Sequence, residues 1–367
     1  MRMILSRALF FALGLLLAGT SRAESAIDQL MEQTGIEAGA VAVRDLPGWQ
    51  APRKIIVRDI AGLYDNVAGT IPGVELIKVR SEAEAIAHAA DTDAIVGFCS
   101  ERIVAAAPKV MWIQIYGAGA ERCLAVERIA KESIVLTNMQ KMSSPVIAEH
   151  VTAMVLNLAR GLAPYSRAMP EGDWLRGTGI TDRMQSIGGK TMLVVGLGGI
   201  GTEVARRAAA LDMRVIGTRR SSHEGPDFVE YVGLSSELHA LAAEADFIVN
   251  ALPLTTETTG VINSDFFAAA KRGAYFINVG RGKTVVTADL VAALESGQVA
   301  GAGLDVTDPE PLPTDHALWQ MSNVIITPHV AGRGGNRMRH NILAEENLRR
   351  FVAGDALLNV VDPKLGY

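Results

Sequence analysis

Cysteine is the scarcest chemistry in this chain: Cys99 and Cys123 are the only thiols in 367 residues. They could join in an oxidising compartment, but two buried, unpaired cysteines are the commoner case and the expectation here. Long apolar runs are missing too. Beyond the N-terminus nothing approaches 18 consecutive apolar residues, so no further membrane span is expected. Charge is close to balanced at −5, with no basic stripe and no interleaved aromatics, which argues against a nucleic-acid partner. There is no internal repeat, no low-complexity tract and no expected metal site. What remains, 49% hydrophobic residues in a chain of this length, suits two domains with two cores.

The first residues have a pattern of their own. Arg2 and Arg7 precede the apolar stretch Ala8–Leu17, too short to cross a bilayer, and Ser21-Arg22-Ala23 puts small residues at −3 and −1 of a cleavage site. That is the arrangement of a secretory signal peptide over 1–23. The expectation is an exported, periplasmic protein with no membrane attachment after cleavage. A start codon chosen too far upstream would instead leave it cytoplasmic.

Residues 24–52 are mixed and polar and read as an N-terminal extension with a turn or two of helix. From there strand-like runs alternate with helical ones. The first set is Lys54–Val57, Glu75–Val79, Asp93–Phe98, Met111–Tyr116 and Ser133–Thr137, with alanine-rich segments such as Ala83–Ala90 between them. A long helix, about Pro145–Met169, should lead to the second set. That set is Met192–Gly196, Arg214–Thr218, Asp246–Ala251, Tyr275–Val279, Ala302–Val306 and Val324–Thr327. A last helix near Asn336–Val352 should return to the first domain. Such alternation predicts parallel sheets under covering helices. The expected fold is α/β with two doubly wound parallel-sheet domains. One is a Rossmann dinucleotide-binding domain at 166–332; the other is a discontinuous, flavodoxin-like substrate domain at 53–165 and 333–367.

One junction is chemically explicit. The apolar run Met192–Val195 meets Gly196-Leu197-Gly198-Gly199-Ile200-Gly201, followed by Thr202–Leu211, which reads as a helix. In a strand–turn–helix of this kind the first glycine allows the tight turn. The second lets the backbone approach a pyrophosphate, and the last lets helix and strand pack closely. The helix N-terminus adds N–H groups and a positive dipole end. The glycine pattern alone is weak; the strand before it and the helix after it give it weight. An NAD site usually carries an acid about 20 residues on, bonded to the ribose 2′-hydroxyl. Here that place holds Arg219, with Arg220, Ser221 and Ser222 after it. Guanidinium and hydroxyl groups would hold a 2′-phosphate that a carboxylate would repel, so NADP is favoured, with NAD possible.

Three further groups follow strands of the same domain: Arg281 in Asn278-Val279-Gly280-Arg281-Gly282, Glu310 in Asp308-Pro309-Glu310-Pro311, and His329 in Thr327-Pro328-His329. Ligands of doubly wound sheets bind outside the carboxyl ends of the strands. A fork-shaped cation, a carboxylate and an imidazole there can meet one small substrate. The carboxylate would fix the imidazole tautomer and favour imidazolium, and Arg281 could clamp an acid and polarise a carbonyl. The other histidines, His88, His150, His223, His239, His316 and His340, read as structural or surface residues. The four tryptophans read as packing, although Trp112 falls near the crevice.

With these pieces in order the chain, from about Lys54 to Asn359, resembles the D-isomer-specific 2-hydroxyacid dehydrogenases, in particular NADP-preferring glyoxylate/hydroxypyruvate reductases. The matching segments are Gly196–Gly201, Pro253-Leu254-Thr255 with Thr258-Thr259-Gly260, Asn278–Gly282, Gly301–Pro313 and Thr327–Gly332. The resemblance implies hydride transfer between NADP(H) and a 2-oxo acid or D-2-hydroxy acid. In it Arg281 binds the substrate, His329 is the acid/base and Glu310 pairs with it. It adds Pro253, Val279, Asp305 and Gly332 to Gly196, Gly198, Gly199, Ile200, Gly201, Arg219, Arg220 and Ser221 as cofactor contacts, Asp305 near the nicotinamide carboxamide. It also implies a homodimer built through the cofactor domain and the linking helix.

The loop Tyr116-Gly117-Ala118-Gly119-Ala120-Glu121 is similar to the family's glycine-rich loop, whose amides hold the substrate carboxylate, which brings in Ala118 and Gly119. Phe98 and Tyr116 are candidates to shape the side-chain pocket. The family's usual Val-Asp after the glycines is here Ala120-Glu121, so the identity of the 2-oxo acid stays open. Formate dehydrogenases resemble this fold but carry glutamine where Glu310 stands. The alternative class is a non-catalytic NADP-binding sensor that kept the fold; Arg281, Glu310 and His329 speak against it.

Overall fold

A computed structural model describes residues 26–131, 134–176, 179, 181, 184–335 and 337–366. The signal peptide expected at 1–23 lies outside the described residues. The chain divides into two compact units: unit 1 takes the residues up to Met142 and those from Asn336 on, and unit 2 takes Ser143–Gly335.

Unit 1 is a parallel sheet of β1 (Lys54–Arg58), β2 (Glu75–Val79), β3 (Ala94–Val96), β4 (Trp112–Gln114) and β5 (Val135–Thr137), in the order β2-β1-β3-β4-β5. The central strands read as continuous apolar runs because both faces are covered. Ile55, Ile56 and Val57 of β1 are fully buried, and Ile56, Ile95, Ile113 and Leu136 sit in register across four strands. The covering helices are α1 (26–34), α2 (Leu63–Val67), α3 (Glu82–Ala87), α4 (Glu101–Ala106), α5 (Glu121–Leu124), α6 (Glu127–Lys131) and, from the C-terminal segment, α13 (Met338–Ala353). Leu343, Ala344, Leu348 and Phe351 of α13 enter the core, where the Phe351 ring lies 5.0 Å from that of Trp112. Trp112 is fully buried and donates to Thr137 Oγ1 at 2.8 Å, so it packs rather than lining a crevice. Packing does not describe Trp174, which is 90% exposed.

Residues 26–52 are part of this unit rather than an appendage. Ile27, Leu30, Ile36 and Val43 join its core beside Leu357 and Leu358. Backbone bonds from Gly39 to Leu357 and from Arg44 to Gly354 fasten the segment to the chain's end. Their apolar residues are too sparse for a periodic signal, which is why the segment reads as polar.

Unit 2 has seven parallel strands in the order β12-β11-β10-β9-β6-β7-β8. These are β6 (Thr191–Val195), β7 (Arg214–Arg219), β8 (Tyr231–Leu234), β9 (Phe247–Asn250), β10 (Ala274–Asn278), β11 (Val299–Leu304) and β12 (Val324–Ile326). Six strands were expected. The additional one, β8, is a four-residue edge strand with Gly233 inside it, hidden after a polar stretch. The helices are α7 (Ser144–Arg160), α8 (Leu162–Ala168), α9 (Gly199–Ala210), α10 (Leu238–Ala242), α11 (Ser264–Ala269) and α12 (Thr287–Glu295). The single long helix expected over 145–169 is broken. Gly161 adopts a left-handed conformation between α7 and α8, and the axis turns by 79°. The unit starts at Ser143 rather than 166 because Val151, Met154 and Val155 of α7 share a core with Val204, Ala205 and Ala208 of α9. Among the described residues no single helix is long and apolar enough to cross a membrane.

Candidate active site

At the carboxyl edge of the unit 2 sheet, β6 passes through the glycine turn into α9. A Cβ at Gly201 would lie on the Gly196 carbonyl oxygen, whereas one at Gly198 would meet nothing within 4 Å. The chain's own packing demands Gly201. Gly198 leaves open space for something to approach the backbone. Among the described residues no side chain caps α9, and its first turn holds no acid, so the amides around Gly199 and Ile200 are left for an anion.

The neighbouring strand β7 ends on Arg219, followed by the exposed Arg220 and Ser221. Arg219 Nε is buried and has no hydrogen-bond partner among the described residues. A buried guanidinium N–H is unfavourable until an acceptor reaches it. The open backbone at Gly198, the uncapped helix and this orphaned donor together fit a dinucleotide carrying a 2′-phosphate.

The next strand ends are held by buried polar side chains. Asn250 Nδ2, at the end of β9, donates to Asn278 Oδ1 at 3.1 Å and to Thr284 Oγ1 at 2.7 Å. The Thr284 hydroxyl in turn donates to the Arg281 carbonyl at 2.6 Å. This fixes the backbone of Arg281, whose half-buried side chain leaves the end of β10 and donates from Nη1 to the Gly280 carbonyl at 2.9 Å. Pro253 follows the end of β9 by three residues, and the buried Val279 follows β10 directly.

His329 and Glu310 meet directly. His329 Nδ1 lies 2.7 Å from Glu310 Oε1, with both side chains nearly half exposed. A carboxylate only accepts, so Nδ1 carries the proton and Nε2 is the nitrogen left for chemistry. His329 also has φ 53°, the left-handed region that a non-glycine residue reaches only when its surroundings compel it. Asp305 supplies the constraint. Its carbonyl accepts from the His329 N–H at 2.8 Å. Its buried carboxylate accepts from the Val330 and Ala331 N–H groups at 2.9 and 3.0 Å and from the Thr327 hydroxyl at 2.6 Å. The residue expected beside a carboxamide therefore also staples the loop that carries the histidine, a loop that ends at Gly332. Behind it, His150 Nε2 on α7 is 3.0 Å from Thr327 Oγ1. His150 thus belongs to this network rather than to the surface. Its place in an apolar helical stretch gave no hint of that; a histidine facing the same turn as Thr327 is visible only in three dimensions.

Phe98, Ala118 and Gly119 belong to unit 1, at the carboxyl ends of β3 and β4. The glycine loop is anchored by its carbonyls, which accept at Gly117 from the Met139 N–H (3.0 Å) and at Ala118 from Asn138 Nδ2 (2.7 Å). The Ala118 and Gly119 amides donate to no group among the described residues. Among the described residues the buried Tyr116 hydroxyl has no partner, and burial pushes its pKa above the ordinary tyrosine value. Cys99 and Cys123 are joined in a disulfide, overturning the expectation of free thiols. Both follow adjacent parallel strands on the same edge, which brings their Cα atoms to 5.6 Å, within bridging range.

Residues 152–331 match the family model for the D-isomer specific 2-hydroxyacid dehydrogenase NAD binding domain. Glyoxylate reductase of Korarchaeum cryptofilum is 34% identical over 287 residues, 75% of this chain and 84% of that protein. Human glyoxylate reductase/hydroxypyruvate reductase is 35% identical over 64% of this chain and 72% of its own length. Among solved structures, a D-isomer specific 2-hydroxyacid dehydrogenase from Xanthobacter autotrophicus in complex with NADPH and MES has 29% identity and a TM-score of 0.73, covering 87% of this chain and all of that one. The NADPH-dependent glyoxylate/hydroxypyruvate reductase of Sinorhizobium meliloti, in complex with NADP and sulfate, has 28% identity and a TM-score of 0.73, covering 86% of this chain and 99% of that one.

Proposed function

Since this chain belongs to the D-isomer specific 2-hydroxyacid dehydrogenase family, and so exchanges a hydride between NAD(P)H and a 2-oxo acid, we propose that it is an NADPH-preferring reductase of a small 2-oxo acid. The glyoxylate and hydroxypyruvate reductases among its relatives support that substrate class. The single observation that carries the residue assignment is the 2.7 Å bond between His329 Nδ1 and Glu310 Oε1.

Gly196, Gly198, Gly199, Ile200 and Gly201 would hold the pyrophosphate, with Arg219, Arg220 and Ser221 on the 2′-phosphate. Pro253, Val279, Asp305 and Gly332 would line the rest of the nucleotide site. Bound NADPH supplies the hydride that reduces the carbonyl carbon. Arg281 takes the substrate carboxylate with its guanidinium fork and draws charge onto the carbonyl oxygen. As negative charge grows there, His329 gives that oxygen the proton on Nε2, so the carbonyl ends as a hydroxyl. Glu310 keeps Nδ1 protonated and the ring oriented through the step. Proton donation of this kind contributes roughly 10²–10⁴-fold.

Turnover with NADPH and NADH over glyoxylate, hydroxypyruvate and phenylpyruvate tests the reading. Reduction of at least one acid, faster with NADPH, is expected; nucleotide binding without turnover of any would identify a sensor instead. We also propose export by cleavage after Ala23 and assembly as a homodimer. The intact mass of the mature protein tests the first, and its solution mass tests the second.

A further inference from the structure

Glycines decide how close α7 comes to β11. A Cβ on Gly301 would meet Leu158 Cδ2 at 3.3 Å, and one on Gly303 would meet Met154 Sδ at 2.9 Å. Without side chains at those two positions, the helix rests on the strand backbone. Leu158, Met154 and His150 stand four residues apart, on one face of α7. Four helical residues rise about 6 Å, close to the rise of about 6.6 Å over two strand residues. The ridge keeps step with the strand, so its next member, His150, comes level with Asp305, with 3.9 Å between Nε2 and Oδ1. All of these residues belong to unit 2.

Beyond that point the direction of each bond follows from counting protons. Thr327 Oγ1 has one hydrogen, and the Asp305 carboxylate, which only accepts, takes it at 2.6 Å. The 3.0 Å bond between His150 Nε2 and the same hydroxyl must then run from the ring, so Nε2 carries a proton. Asp305 passes the constraint on. Its Oδ1 also accepts from the Val330 N–H, its Oδ2 from the Ala331 N–H, and its carbonyl from the His329 N–H. A continuous chain of hydrogen bonds thus joins α7 to His329, the residue held at φ 53°.

We propose that His150 is a positioning residue of the reductase. Through Thr327 and Asp305 it holds the loop at the setting in which His329 presents Nε2 to the substrate carbonyl. The role rests on the reductase reading above, in which His329 delivers the proton. His150 has no part in the transfer itself. Proton delivery depends steeply on where the donor stands, so a loosened loop lowers turnover and leaves Arg281 to bind the acid as before.

The test measures steady-state kinetics of the full chain with NADPH and its best 2-oxo acid. His150→Phe should lower kcat by about tenfold or more and leave KM for the acid within about twofold. His150→Gln, which restores an N–H donor, should regain most of that loss. Thr327→Val should match His150→Phe. Adding His150→Phe to Thr327→Val should cost no more than about twofold further, because the relay is already cut. Imidazole nitrogen spectra of protein made with isotope-labelled histidine give a readout independent of turnover. There Thr327→Val, with both rings in place, should move the signals of His150 and of His329. Both sets moving, without turnover by wild type, keeps the relay and sinks the reductase reading. Full kcat in His150→Phe, a Gln variant as slow as the Phe variant, additive losses in the double variant, or unmoved His329 signals would each overturn the relay; the contact is then helix packing. If His150→Phe does not fold, the Thr327→Val spectra carry the decision.

Discussion

Both units contain one switch point in a parallel sheet, and they fill it differently. In unit 2 it falls between β6 and β9, and the β6 side holds backbone: a glycine turn and an uncapped helix. In unit 1 it falls between β1 and β3 and holds a side chain, Arg58 on Phe98. The same wiring rule makes a crevice in each, and the residues decide what enters. Backbone amides suit a pyrophosphate common to every turnover. A guanidinium suits an anionic group.

The contrast breaks most sharply at Gly201 and Gly198. Gly201→Ala forces Cβ onto the Gly196 carbonyl, so stability and nucleotide affinity should fall together, by about 1–3 kcal/mol of strain. Gly198→Ala has open space around Cβ, so the melting temperature without nucleotide should stay while NADPH affinity falls. Equal losses of thermal stability in the two variants would contradict the division between packing and ligand approach. A smaller effect is expected at Arg219. Replacement by Asp should turn the preference from NADPH towards NADH by about tenfold or more, read as the ratio of kcat/KM values; an unchanged ratio would remove Arg219 from the 2′-phosphate site.

The amino edge of the unit 2 sheet offers a structural control. Burial raises the Asp246 carboxyl, but bonds from Lys271 and the Thr191 N–H, with Lys190 nearby, outweigh that and hold it below the ordinary aspartate range. A carboxyl depressed on folding adds stability above its unfolded pKa, and that stability drains away as pH falls through the folded value. Asp246→Asn should therefore cost about 1–2 kcal/mol at neutral pH. The gap from wild type should close in acid; urea titrations at several pH values check it. A gap that stays constant with pH would contradict the charge pairing.

Legibility followed locality. The strand–turn–helix at Val195–Thr202 is written in consecutive residues, and so are the apolar strands around Ile56 and Val194. The edge strand Tyr231–Leu234 escaped because four residues with a glycine carry little periodicity. The break at Gly161 escaped because one glycine in an apolar helix is usually tolerated. Arg281, Glu310 and His329 stood out as reactive types just past strands. Asp305, Thr327 and His150 did not read as one network, since a helix, a strand end and a loop far apart in sequence have to meet first. Arg58 carries no signal of its own in the sequence; only the sheet order places it at a reversal.

The central claim is that His329, oriented by Glu310, gives the proton that completes reduction. The direct measurement is kcat and NADPH affinity of His329→Ala beside wild type, with the best 2-oxo acid. Turnover should fall by roughly 10²–10⁴-fold while NADPH affinity holds. Turnover within a few-fold of wild type would contradict the assignment.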